Sequence, residues 1–143
     1  MIRRHALAAS LTLAATTAAA CGGGTSPSDR IAEAVSAWYR DVAAGNGKAV
    51  CARLTERARK GLVEDSALAG SCEAAVAEFS LLLTDEERRS LGRVEVGRVR
   101  VNGNAAQVHD QDLSAPEPWV RDDNDRPLRF RRIDGEWLIE DLG

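Results

Sequence analysis

The chain has 143 residues, with 19 Lys+Arg against 22 Asp+Glu and a net charge of −3. That length admits one domain at most. The acidic balance leaves no electrostatic footprint for nucleic acid, and no polybasic cluster that would hold the chain on anionic lipid headgroups.

At the N-terminus, Arg3, Arg4 and His5 form a basic region, and Ala6 to Ala20 then run apolar or small without a charge. This is the layout of a secretory signal peptide, predicted over residues 1–20. The uncharged stretch, about 15 residues, is shorter than the roughly 20 that a membrane-spanning helix needs, and no later segment is apolar enough to span. Arg3-Arg4 lacks the surroundings of a twin-arginine signal, so the ordinary secretory route is expected. Cleavage would remove two arginines and no acid, taking the net charge from −3 to −5. Any attachment of the mature chain to a membrane would then be covalent.

Ala18-Ala19-Ala20-Cys21 resembles a bacterial lipobox, a small apolar tripeptide before a cysteine. The resemblance implies a diacylglyceryl thioether on Cys21, cleavage before it, and an extracytoplasmic protein whose first partner is membrane lipid. Ala18-x-Ala20 also suits the ordinary signal peptidase, which would release a soluble secreted protein beginning at Cys21. The downstream sequence favours the lipobox: residues 21–28, Cys21 and then Gly-Gly-Gly-Thr-Ser-Pro-Ser, read as an anchor and a flexible tether. Two acyl chains anchor stably where one is marginal.

Cys21, Cys51 and Cys72 are an odd set, which in an exported protein leaves one over. Cys51 and Cys72 both fall in the region expected to fold, and outside the cytoplasm they are expected to pair. Closing a loop of about 21 residues contributes roughly 3 kcal/mol in the chain-entropy model. The alternative is two buried thiols that simply pack as small apolar groups.

The folded region is predicted over residues 29–143. Ser28 or Asp29 can cap a first helix, in which Ile31, Val35, Trp38 and Val42 share one face. Gly45-Asn46-Gly47 ends it. A second helix is predicted over 48–60, with Val50, Leu54 and Ala58 inward and Cys51 beside them. Gly61 and Gly70 bracket a connector. Ser71 caps a third helix carrying a stripe of Cys72, Val76, Phe79 and Leu83. Thr84-Asp85-Glu86-Glu87 is a capping box opening a short helix that Gly92 closes.

After Gly92 the apolar period shortens to two. Val94 and Val96 share a face, Val99 and Val101 take the opposite parity, and Gly97 between them suggests a bulge. Asn102-Gly103 signals a hairpin whose return strand carries Ala106 and Val108. Pro116 and Pro118 mark a break before a short strand at Trp119-Val120-Arg121 and a polar loop at 122–125. Leu128 and Phe130 alternate along the next strand, and Asp134-Gly135 turns it into a last one at Trp137-Leu138-Ile139. Helices first and an antiparallel meander after make an α+β fold.

Trp38-Tyr39, the Gly45-Asn46-Gly47 turn, Cys51 to Thr55, Ser71-Cys72-Glu73 and the hairpin Arg132 to Ile139 together resemble the NTF2-like (SnoaL-like) lipoproteins of bacteria. The resemblance covers roughly residues 29–143. It implies a curved antiparallel sheet wrapped around N-terminal helices, an NTF2-like or cystatin-like cone with an internal pocket. Fold membership alone does not assign an activity.

His109 is the single histidine after the signal, and Tyr39 could join it; these are the candidate catalytic residues, in an isomerase- or dehydratase-type enzyme. Against this, strand alternation opposite Val108 puts His109 on the polar face. Residues 122–125 do not follow the calcium-loop pattern, because Arg126 and Pro127 fall where ligands and glycine are needed, so a solvated turn is expected. Arg129, Arg131 and Arg132 read as a cross-strand pairing set facing an acidic loop of the neighbouring strand. Trp38, Trp119 and Trp137 are core residues or, less simply, a lining of the cone. No zinc spacing, phosphate-binding glycine loop or metal or cofactor motif occurs. The leading expectation is a non-enzymatic, lipid-anchored domain that binds a small apolar ligand or an envelope protein.

Overall fold

The computed structural model describes residues 24–66, 69–114 and 126–143. The predicted signal peptide, Cys21, Trp119, the strand around it and the loop 122–125 lie outside the described residues. Among the described residues no helix is long and apolar enough to cross a membrane.

The first helix, α1 (Pro27–Ala43), begins earlier than expected. Ser26 is its cap, accepting from the Asp29 N–H at 3.1 Å, while the Asp29 carboxylate accepts from the Ser26 N–H. Pro27 sits in the first turn, where its missing N–H costs nothing. The first two turns bury Ile31 and Val35 as predicted, but at the third Tyr39 is buried and Trp38 only half-buried. Gly45, at φ +66°, turns the chain, and Asn46 caps the next helix.

The predicted single helix over 48–60 is two: α2 (Gly47–Ala52) and α3 (Glu56–Asp65). The break has a tertiary cause. Thr55 N–H donates to the Ile139 carbonyl at 2.9 Å, and Ile139 N–H donates to the Arg53 carbonyl at 2.8 Å. The outer edge of the last strand therefore claims groups that a continuous helix would have used internally. Thr55 Oγ1 then accepts from Ala58 N–H and restarts the helix. Gly61 lies inside α3 rather than at a connector.

Ser71 caps α4 (Cys72–Leu82) as expected. Cys72 and Val76 are buried, but Phe79 is not; Ala75 and Ser80 take the inward positions. Thr84 and Glu87 form the predicted capping box of α5 (Asp85–Leu91), and Gly92 ends it.

Four strands complete the fold: β1 (Arg100–Asn102), β2 (Ala105–Val108), β3 (Leu128–Ile133) and β4 (Glu136–Asp141). They form one antiparallel sheet in the order β1-β2-β3-β4. The first hairpin turns one residue later than predicted: Asn102 faces Ala105, so Gly103 and Asn104 are central. Gly103 at φ +58° takes the first central position, where such a turn needs glycine. Asp134 (φ 50°) and Gly135 (φ 88°) make the second turn as predicted.

Residues 94–99 do not extend β1. Val96 bridges instead to Leu113, with Gly97 N–H donating to the Asp112 carbonyl at 2.7 Å. Gly97 thus marks a change of partner, not a bulge in one long strand. Ala106, Val108, Leu128, Phe130 and Ile139 are buried and share one continuous core with the helices. Arg129 and Arg131 are exposed, on the other parity. The protein is therefore α+β, with five helices and a four-stranded meander among the described residues.

Candidate functional site

The arrangement of α4 is set at both of its ends. At the start, Cys72 is disulfide-bonded to Cys51 of α2, with Cα atoms 6.1 Å apart and a sequence separation of 21. The two helices pack closely because Gly47 has no side chain. A Cβ there would lie 2.8 Å from both the Cα and the carbonyl oxygen of Glu73. At the far end, the Arg88 guanidinium donates to the carbonyls of Ser80 (2.8 Å), Leu83 (3.2 Å) and Ala43 (3.2 Å). One cation thus serves the C-terminal carbonyls of α1 and α4, where helix dipoles favour positive charge.

Between these fastenings, α4 and α3 leave a groove of about 370 Å³. Leu62 of α3 and Ala75, Phe79 and Leu82 of α4 supply its apolar wall, and Asp65 and Glu78 stand at its rim. Ser66 Oγ donates to Glu78 Oε2 at 2.7 Å and itself accepts from Ala69 N–H, which fixes the Glu78 carboxylate. Beyond the groove the last turn of α4 presents Leu81 at 82 % and Leu82 at 77 % exposure, with Phe79 at 40 %. Large apolar side chains exposed beside a groove make this the candidate interaction surface.

This site was not among the sequence-derived candidates. The signal was available in Leu81-Leu82-Leu83, since a helix end packed on one side cannot bury three successive leucines. Of the three, only Leu83 is buried.

The candidate catalytic residues lie elsewhere. Tyr39 is buried, stacked edge-on against Trp38 with ring centroids 5.0 Å apart. Burial raises its phenol pKa well above the ordinary value, and the nearby Asp110 carboxylate raises it further. The residue next to His109 is thus close enough to Tyr39 to act on it. His109 itself is half-buried, just past β2 at the start of a 3₁₀ turn, Asp110–Asp112, rather than within a strand. The indole N–H groups of Trp38 and Trp137 are buried without a hydrogen-bond partner among the described residues.

Among the described residues the arginine set finds partners within the hairpin, and the acidic loop it was expected to face lies outside them. Arg131 donates to Glu140 of β4 through Nε (2.6 Å) and Nη2 (3.1 Å), which raises the guanidinium pKa. Arg132 reaches the Gly135 carbonyl at 3.4 Å. Arg129 stands opposite Asp141, where a register shift leaves Glu140 as the extra residue of β4. Among the described residues no three His, Cys, Asp or Glu side chains are grouped to hold a metal ion. No family model, curated protein or solved structure matches the chain.

Proposed function

We propose that the protein is a lipid-anchored extracytoplasmic binding domain, exported by residues 1–20, acylated on Cys21 and tethered by the Gly-rich segment after it. The exposed apolar groove between α3 and α4 carries the binding part of this reading. The Cys51–Cys72 disulfide supports the compartment, because such bonds persist where the surroundings are oxidising. Helices followed by a meander ending in the Asp134-Gly135 hairpin support the reading of an NTF2-like domain. The enzymatic alternative through His109 or Tyr39 draws less support, since Tyr39 is buried against Trp38 and neither residue lines the α3–α4 groove.

Intact mass spectrometry of the protein from a native membrane fraction tests the anchor. The expected mass begins at Cys21, carries acyl chains and lacks two hydrogens for the disulfide. A protein from the cell interior that retains Met1 and two free interior thiols would overturn the proposal. Binding is read from an environment-sensitive naphthalene sulfonate dye. The folded protein should enhance its emission, and Leu82→Lys should abolish the enhancement without lowering Tm; no enhancement with the unsubstituted chain would remove the groove from the reading.

A further inference from the structure

We infer that the α3–α4 groove docks an amphipathic helix of a partner protein, one with an apolar stripe flanked by Lys or Arg. This rests on the binding reading above and names the partner's chemistry.

Charge selects among the possible occupants. Asp65 and Glu78 are the charged residues that line the groove, and no Lys, Arg or His lines it among the described residues. Past Leu83 and Thr84, the first turn of α5 adds Asp85, Glu86 and Glu87, while Arg88 behind them is engaged by the carbonyls of Ala43, Ser80 and Leu83. Lys60 is paired with Glu64 at 3.6 Å, so that pair adds no net charge beside the groove. A bilayer surface bearing anionic headgroups would be repelled by this set. A second copy placed face to face would put acid against acid, which disfavours self-association through this face. A helix with apolar residues at i, i+3, i+4 and i+7 and basic residues at its margins satisfies both the apolar wall and the acidic rim.

Position points the same way. The tether joins the domain at Pro27, the start of α1. Arg88 ties the opposite end of α1, at Ala43, to Ser80 and Leu83 at the end of α4. The 17 residues of α1 make about 25 Å of helix between the two. The exposed leucines therefore sit at the end of α1 remote from the anchor, where a partner can reach them. The groove is also preformed: the disulfide, the Gly47 contact and the Arg88 clamp hold α4 before anything binds, which lowers the ordering cost of docking.

The test uses the full chain in the cells that make it. A photoreactive benzophenone side chain is placed at Leu82 and, as a control, at Gln107 on the exposed side of β2. After irradiation, adducts from the membrane fraction are identified by peptide mass spectrometry. The expected result is an adduct at position 82 and not at 107, whose partner peptide carries an apolar helical stripe flanked by Lys or Arg. Its yield should fall about tenfold when Asp65→Lys and Glu78→Gln are combined. Gln keeps an oxygen for the Ser66 hydroxyl, so Tm should hold, and reversing the partner's basic residues should restore the yield. An adduct with a second copy, with lipid, with an acidic or neutral segment, or none at all would overturn the inference. The intact mass of the same sample reports acylation of Cys21 independently. An acylated protein without the adduct sinks the docking inference alone; an unacylated protein that retains Met1 sinks the anchored reading.

Discussion

Arg88 is the residue on which the helical layer is expected to depend most. Its guanidinium serves three carbonyls from two helix ends, at 2.8 to 3.2 Å. A hydrogen bond to a charged group contributes about 1.5–3 kcal/mol in a protein interior. Three would contribute about 4.5–9 kcal/mol, but the side chain is only half-buried, so water can replace part of what is lost. Arg88→Met, which keeps the aliphatic stem, should therefore cost about 2–3 kcal/mol, and at roughly 4 °C per kcal/mol for a domain of this size Tm should fall by about 10 °C. Arg88→Lys should recover only part, because a single ammonium on a shorter side chain cannot address three carbonyls as the guanidinium fork does. Thermal unfolding followed by circular dichroism measures the magnitude, and amide exchange locates it. Amides in the last turn of α4 should lose protection while those paired between β3 and β4 keep theirs. A Tm change below about 3 °C, or exchange rising equally in sheet and helix, would refute the clamp as the cause.

Four further outcomes are expected. Replacing Cys51 and Cys72 together by Ala should lower stability by about 3 kcal/mol from the closed 21-residue loop, read as the difference in urea midpoint between the variant and the oxidised parent. Gly47→Ala should cost about 1–3 kcal/mol, because its Cβ would meet Glu73 backbone at 2.8 Å; Gly61→Ala, with nothing within 4 Å inside α3, should instead stabilise by roughly 0.5–1 kcal/mol, and urea melts of both give the opposite signs. The chain has one tyrosine, so tyrosinate absorbance reports Tyr39 alone. Its folded pKa is raised, so the stability it contributes is complete below the ordinary phenol value near ~10 and is lost as pH climbs above it; the absorbance should appear only with unfolding, and Tyr39→Phe should soften the alkaline limb of the Tm–pH curve. The Glu87 carboxyl is held below its ordinary range by the Thr84 N–H and hydroxyl, so its contribution is present above about pH 4.3 and fades as pH falls through the lower folded value; Glu87→Gln should flatten the acid limb of the same curve.

Local chemistry made much of this fold legible in the chain. Ser71 and the Thr84–Glu87 box satisfy helix N–H groups by their own side chains, so α4 and α5 start where the residues say. Asp134-Gly135 reverses the chain because both tolerate positive φ. The two interior cysteines paired as their number and expected compartment implied. The anchor reading belongs wholly to the N-terminal sequence and draws nothing from the fold except the disulfide's consistency with it.

Where several partners competed for one group, only the folded chain could decide. Residues 48–60 have a helical period throughout, yet β4 takes the Arg53 carbonyl and the Thr55 N–H and splits the helix. Val94 and Val96 have a strand period, yet Val96 bridges to Leu113 instead of extending β1. Phe79 carries a helical stripe forward by spacing, but Ala75 and Ser80 occupy the inward side of α4. The groove depends on this most, since periodicity marks which residues are apolar and not whether another element arrives to cover them. Burial of α4 is decided by the disulfide to α2 and the Arg88 clamp, contacts between residues far apart in sequence, and those leave Leu81 and Leu82 facing outward.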